Sequence, residues 1–297
     1  MNIAIVTDST ADIPPELAEQ NHIHVVPAIL IIEGQSMEDG KGISRREFYD
    51  RMPTMQTPPT TATPSAGTFQ QIYERLFQQG CQSIISIHVA SLLSGICNTA
   101  HVAAQAFGER VCVIDSGQLS LGLGYQALAA AEAAAQKLPL NKVIQHIENV
   151  RKRVRVVAML DTLEYLRRSG RVSWARARIG SLLRIKPLIE VKEGKAINIG
   201  QARTRRKGIP RLMELLDKMG SLEQLAILHT NAEADARKII TNLNIPLPAP
   251  PLLVNVTSIV GTHIGPNGLG FAAVVARQRR LQVTATGARS LPTQAEY

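Results

Sequence analysis

The sequence predicts an α/β protein built from two α/β domains, the first with a mainly parallel sheet. Three observations carry that reading. Short apolar runs alternate with helical stretches through residues 1–150, the pattern of strands joined by crossover helices. Small polar residues come directly after several of those runs, where a parallel sheet places its ligands. After about residue 153 hairpin-like strand pairs appear and the composition turns strongly basic. A chain of 297 residues also fits two ordinary domains better than one.

In order, Ile3–Val6 reads as the first strand. It runs into Thr7-Asp8-Ser9-Thr10-Ala11-Asp12 and then a helix over Pro14–Gln20 with proline at its start. Ser9 or Asp12 caps that helix, the common use of such residues, or the cluster holds a ligand. Val25–Ile32 reads as one strand. Thr54–Pro64, rich in Thr and Pro, reads as a surface loop. Helices are expected over Ser65–Gln79, Ser94–Phe107, Leu119–Lys137 and Leu140–Arg153, and strands over Ser83–His88 and Val111–Ile114. The last helix shows Val143, Ile147 and Val150 at helical spacing. Leu119–Lys137 is rich in Ala and Gly, with Gly122 and Gly124 near its start. Such a helix either packs closely or leaves room beside it.

The domain boundary is expected near Arg153, giving domains over 1–153 and 154–277 and a loose tail over 278–297 that lacks periodicity. Within the second domain Val154–Asp161 is a strand and Thr162–Arg168 is helical. Ile185–Val191 and Ala196–Ala202 flank a polar turn at Glu193-Gly194-Lys195. Gly208–Met219 and Ala232–Asn242 are helices, and Leu225–His229, Leu252–Ser258 and Phe271–Val275 are strands. Gly261–Gly270 reads as a tight glycine-rich loop.

Composition narrows the class. Cys81, Cys97 and Cys112 show no metal or redox spacing and read as free thiols in a reducing compartment. The chain begins with strand and cap, so a cytoplasmic protein is expected. Charge is lopsided: residues 1–150 carry 8 Lys+Arg against 14 Asp+Glu, whereas residues 151–297 carry 25 against 10. The excess is either a solvated face or a dock for an acidic protein, phosphates or an anionic membrane. With 4% aromatic residues and no recognition motif, nucleic acid ranks last. No nucleophile elbow, no zinc-protease pair and no metal spacing among the seven histidines are visible.

Five polar clusters are the candidate site. They are Thr7–Thr10 with Ser9; Thr60–Gly67 with Thr61, Thr63 and Ser65; Ser91–Gly95 with Ser94; Asp115-Ser116; and Gly261–Gly270 with His263. Singly, Ser65 and Ser94 are ordinary helix caps. Helix N-termini also suit a bound anion, and clusters from separate strands can converge. His263 is a turn residue bonded to a nearby carbonyl or a donor to an anion that titrates near neutrality.

Taken together, the opening T-D-S-T-A-D-I-P, the T-x-T-P-S loop, L-S-G, I-D-S at 114–116, L-E-Y-L-R-R-S-G-R at 163–171, A-R-T-R at 202–205 and G-T-H-I-G-P at 261–266 resemble the DegV family of bacterial fatty-acid-binding proteins. The resemblance covers about residues 1–277. It implies a long-chain fatty acid buried between two α/β domains, with its carboxylate held by Thr61, Ser94 and His263. Thr63, Ser65, Ser91, Gly95, Ser9 and Ser116 would lie nearby. It also implies no further cofactor, no catalysis by the chain itself, and a partner fatty-acid kinase that converts the bound acid to an acyl-phosphate. Arg203, with Arg205, would sit at that exchange surface. Ala62 and Ile96 stand where the family often has Ser and Thr, so two hydroxyls are lost near the head group. The alternative is a phosphotransferase component or hydrolase using the sheet-end Ser/Asp clusters.

Overall fold

The computed structural model describes residues 2–176 and 185–277. The expected loose tail, and residues 177–184 of the basic run, lie outside the described residues.

The first half begins with β1 (Ile3–Asp8), α1 (Pro15–Gln20), β2 (Ile23–Val26), β3 (Ile29–Ile32), β4 (Gln35–Glu38) and α2 (Arg45–Arg51). It continues through β5 (Thr60–Ala62), α3 (Ala66–Gln78), β6 (Ser83–His88), α4 (Ile96–Ala104), β7 (Val111–Asp115), α5 (Leu121–Ala135) and α6 (Leu140–Arg151). β2, β1, β6 and β7 form a parallel sheet in that order. All six residues of β6 are buried, as expected for a parallel strand covered on both faces. β4, β3 and β5 form a small antiparallel sheet.

The second half runs β8 (Val154–Met159), α7 (Glu164–Ser169), α8 (Ser173–Arg176), β9 (Lys186–Lys192), β10 (Lys195–Ala202) and α9 (Arg205–Asp217). After them come β11 (Leu222–His229), α10 (Glu233–Thr241), β12 (Leu252–Asn255), α11 (Ser258–Ile264) and β13 (Leu269–Val275). Its six strands lie in the order β10-β9-β8-β13-β11-β12, antiparallel except for the β11–β12 pair. The molecule is thus a two-domain α/β protein with one parallel, one mixed and one small antiparallel sheet.

The period-2 alternation of strands divides the second sheet's side chains between two cores. Val154 and Val156 of β8, with Ala272 and Val274 of β13, join a core shared with Ile5, Ile85 and Leu121 of the first half. Val157, Met159 and Phe271 face the other way and pack under α9 and α10 with Leu212, Leu216 and Ile239. A third cluster, Leu160, Leu163, Leu166, Val172 and Ile189, lies beneath α7 and α8.

Three expectations need correction, and one open alternative is decided. Val25–Ile32 is not one strand. Pro27 lacks the N–H a ladder needs, and the chain leaves the parallel sheet at Val26 and enters the small antiparallel one at Ile29. Thr54–Pro64 is not loop throughout: Thr60–Ala62 pairs with β3, Thr61 opposite Leu30, because Pro58, Pro59 and Pro64 flank the paired residues rather than interrupt them. Gly261–Gly270 is not loop from its start; α11 continues to Ile264 and the turn begins at Gly265. Of the two alternatives left open for the Ala- and Gly-rich helix, close packing is the one that Gly122 and Gly124 serve. A Cβ on Gly122 would stand 2.5 Å from Val156 Cγ2, and one on Gly124 2.7 Å from the Ala11 carbonyl oxygen.

Candidate functional site

Val156 and Ala158 of β8, Leu160 just after it, and Ile189 and Val191 of β9 line a cavity. Val89, Leu93, Ile96 and Leu119, from the turns and helix start beyond the carboxyl ends of the parallel strands, also line it. α11 contributes Ile259, Val260, His263 and Ile264. About 160 Å³ is open to the centres of water-sized molecules, within about 1070 Å³ of atom-free space that includes the mouth. The remaining polar wall consists of Thr10, Thr61, Thr63, Ser94 and Arg171. Arg171 is the one Lys, Arg, Asp or Glu side chain on that wall among the described residues.

The polar groups come together from distant parts of the chain. Thr61 Oγ1 lies 3.0 Å from His263 Nε2, across 202 residues. The Ser94–Gly95 turn abuts Thr63, whose Cγ2 would be 3.2 Å from a Cβ on Gly95. Gly95 is the N-cap of α4, so the partial positive charge of that helix end meets the cavity wall. Burial, with the Arg171 guanidinium adding to it, lowers the His263 pKa to about 4. The ring is therefore neutral at pH 7. Its Nδ1 is buried without a partner among the described residues. The wall can thus offer hydroxyls, an imidazole and one fixed cation to an anionic head group, and apolar surface to the rest of a ligand.

The structure brings Thr61, Thr63, Ser94, Gly95 and His263 to this cavity. It does not bring Ser9, Ser65, Ser91 or Ser116 to its wall. Ser65 caps α3 by accepting the Thr68 amide. Ser91 donates to Asp115 Oδ2 at 2.6 Å and lines, with Ser116, a separate polar cleft. Ser116 donates to the Gln118 carbonyl. Ser9 accepts the amide of Ala28, a wall residue, and so acts one step removed. Arg203 is exposed. Arg205 is committed elsewhere: Nε donates to Asp235 Oδ2 at 2.7 Å, and the guanidinium also donates to the Asn267 carbonyl.

Thr10, from the first candidate cluster, also reaches the wall, whereas Arg171 was missed as a wall residue. Thr10 stands in the opening T-D-S-T-A-D-I-P and Arg171 closes L-E-Y-L-R-R-S-G-R. Gly170, left-handed at φ 67°, turns the chain between α7 and Arg171. A buried chain of hydrogen bonds was missed as well. Asp8 Oδ2 lies 3.0 Å from His88 Nδ1, His88 Nε2 lies 2.7 Å from Ser86 Oγ, and Ser86 Oγ lies 2.8 Å from Tyr73 Oη. That is the order of a nucleophilic triad, but all four residues are buried and none lines the cavity. Asp8 also accepts the amides of Thr10 and Val89, so the chain braces two wall residues.

Fold and site define a two-domain α/β protein enclosing a largely apolar cavity with a small polar cluster on its wall. The family model described as "Uncharacterised protein, DegV family" matches residues 2–276. "Protein DegV" of Bacillus subtilis is 35% identical over 278 residues, 91% of this chain and 98% of that one. Two solved structures are similar. One, "Fatty Acid Binding of a DegV family Protein from Thermus thermophilus", has a TM-score of 0.84 and 30% identity, covering 93% of this chain and 100% of that one. The other is "DegV, a fatty acid binding protein from Bacillus subtilis", with a TM-score of 0.82, 33% identity and the same coverage. The chain belongs to the DegV family.

Proposed function

We propose that the chain binds a long-chain fatty acid in this cavity, between domains 1–153 and 154–277, and presents the carboxylate to a partner fatty-acid kinase. The supporting observation is the wall itself: apolar nearly throughout, with Thr61, Ser94, His263 and Arg171 among its few polar exceptions. The two solved relatives are described as fatty-acid-binding proteins. Each buried methylene contributes about 0.8 kcal/mol, so the acyl chain dominates affinity. The head group must then only avoid the large cost of an unpaired buried charge. Thr61 and Ser94 hydroxyls can donate to a carboxylate, Arg171 supplies the countercharge, and the neutral His263 ring donates through whichever nitrogen carries its proton.

In this reading the chain is a carrier and the partner does the chemistry. The enzyme alternative would use the sheet-end Ser/Asp clusters, but Ser91 there is tied to Asp115 and Ser116 to the Gln118 carbonyl, and Ser86 of the triad-ordered chain is buried and hydrogen-bonded to Tyr73. Arg203 and Arg206 are both exposed and form the proposed kinase dock, from which Arg205 is withdrawn by its pairing with Asp235. Mass spectrometry of an organic extract of the purified protein tests the ligand. A long-chain fatty acid near one equivalent is expected. An extract without fatty acid, together with no uptake of added fatty acid, would overturn the reading.

A further inference from the structure

α11 forms a wall of the cavity through Ile259, Val260, His263 and Ile264, and its amino end is gripped by residues from the other half of the chain. Asp12 Oδ1 accepts the Thr257 amide at 2.7 Å across 245 residues, and Asp12 Oδ2 accepts the Ser120 hydroxyl at 2.6 Å. Arg45 Nη1 lies 3.7 Å from Asp12 Oδ1 and donates to the Asn255 carbonyl. Tyr49 Oη donates to the Val256 carbonyl at 2.8 Å, with the Thr257 carbonyl 3.1 Å away. Asp12 is 1% exposed and sits in the left-handed region at φ 56°, a conformation non-glycine residues adopt at a cost.

We propose that Asp12 is a positioning residue of the ligand site: its carboxylate holds the amino end of α11, sets His263 against Thr61, and on protonation slackens that hold so that ligand affinity falls in acid. The inference rests on the reading of the cavity as a fatty-acid site. Three donors converge on Asp12, namely the Thr257 amide, the Ser120 hydroxyl and the Arg45 guanidinium, an arrangement made for an ionised carboxylate. A protonated carboxyl would have to turn the Ser120 hydrogen bond around and would lose the charge that faces Arg45. The groups facing it from the surrounding elements are Arg45 and Tyr49 of α2, Asp39 after β4, Ser120 before α5 and the Thr257 amide. Burial raises the Asp12 pKa to about 6 and Asp39 adds to the rise, while Arg45, Ser120 and Thr257 pull it down. Above that pH the grip is ionised; below it the grip is neutral.

The test measures binding of a fluorescent C16 fatty acid from pH 5 to 7.5 by the wild type, Asp12→Asn and Ser120→Ala. The wild type is expected to bind about tenfold more weakly at the acid end, the change that goes with one unit of pKa difference between bound and free protein. Asp12→Asn should match the wild type at the acid end and bind about tenfold more weakly than it at pH 7.5, so that the ratio of the two affinities changes near pH 6. Titration of the ligand's own carboxyl is common to both proteins and drops out of the ratio of their affinities. Ser120→Ala, which keeps the carboxylate but removes a donor that stabilises it, should move the step to higher pH; this variant carries the test should Asp12→Asn fail to fold. A ratio of wild-type to Asp12→Asn affinity that does not change with pH would overturn the proposal. Hydrogen exchange at the Thr257 amide of ligand-free protein gives an arm independent of the ligand. Protection should fall below about pH 6 in the wild type and stay constant with pH in Asp12→Asn. Failure to bind fatty acid at every pH would defeat the ligand assignment, while this exchange arm still decides whether Asp12 grips α11; protection in the wild type that does not change with pH would overturn the grip.

Discussion

At the scale of single residues, the cavity depends on a few polar groups whose protonation and pairing are set by burial. Ser94→Ala should weaken fatty-acid binding by about 1–3 kcal/mol, the range for losing a hydrogen bond to a charged group; a competition titration reads it, and unchanged affinity counts against Ser94 as a head-group donor. His263 gives a stability prediction. Its folded pKa of about 4 lies below the 6.5 of an unperturbed histidine. As pH falls below 6.5 the unfolded chain takes up the proton first, so stability is complete above 6.5 and is lost between 6.5 and 4. The contribution is about 3 kcal/mol at most. In urea unfolding across that window, His263→Gln should lose stability with acid less steeply than the wild type. Equal slopes would show that the ring titrates as if exposed.

Thr61, Ser94 and His263 were legible as members of polar clusters, and the resemblance to the family singled them out within those clusters. Arg171 and Asp12 were not legible as partners of those residues. A guanidinium in a basic run looks like solvent-facing charge until its neighbour across the fold is known. The 245 residues between Asp12 and Thr257 leave no local pattern to read.

At the scale of elements, strands with continuous apolar runs were legible and those with unusual chemistry were not. Ser83–His88 is the same strand in sequence and structure, since a fully buried parallel strand needs no alternation. β5 was hidden because its three residues lie between prolines, and α11 because glycine has low helix propensity. Packing overrides that propensity at Gly261, where an added Cβ would collide with the buried Tyr49 ring whose hydroxyl is tied to the Val256 carbonyl. Gly261→Ala should therefore destabilise the protein by about 1–3 kcal/mol, as overpacking does, and should weaken ligand retention as α11 is displaced. A denaturation midpoint equal to that of the wild type would show that α2 and α11 can separate without cost.

At the scale of the whole molecule, the two halves differ in charge as well as in sheet type. Residues 151–211 hold 18 Lys+Arg against 4 Asp+Glu, and part of that excess is internal: Arg153 pairs with Glu223, Lys186 with Asp161 and Arg205 with Asp235. The sequence shows the excess but not this division between paired and free. If the exposed Arg203 and Arg206 meet an acidic kinase surface, Arg203→Glu with Arg206→Glu should leave fatty-acid affinity unchanged. Acyl-phosphate formation should fall, and raised salt should reproduce the defect in the wild type. Wild-type kinase turnover by the loaded double variant at low salt would remove the dock from those positions.

The central claim is that one cavity holds the acyl chain along its apolar wall and the carboxylate at the Thr61–His263 pair. A crystal structure of the protein saturated with a C16 fatty acid tests it most directly. The carboxylate is predicted within hydrogen-bond reach of Thr61 Oγ1, Ser94 Oγ and the His263 ring, with the chain running between Leu119 and the β8–β9 wall. A carboxylate at the opposite end of the cavity, or a ligand bound outside it, would contradict the account.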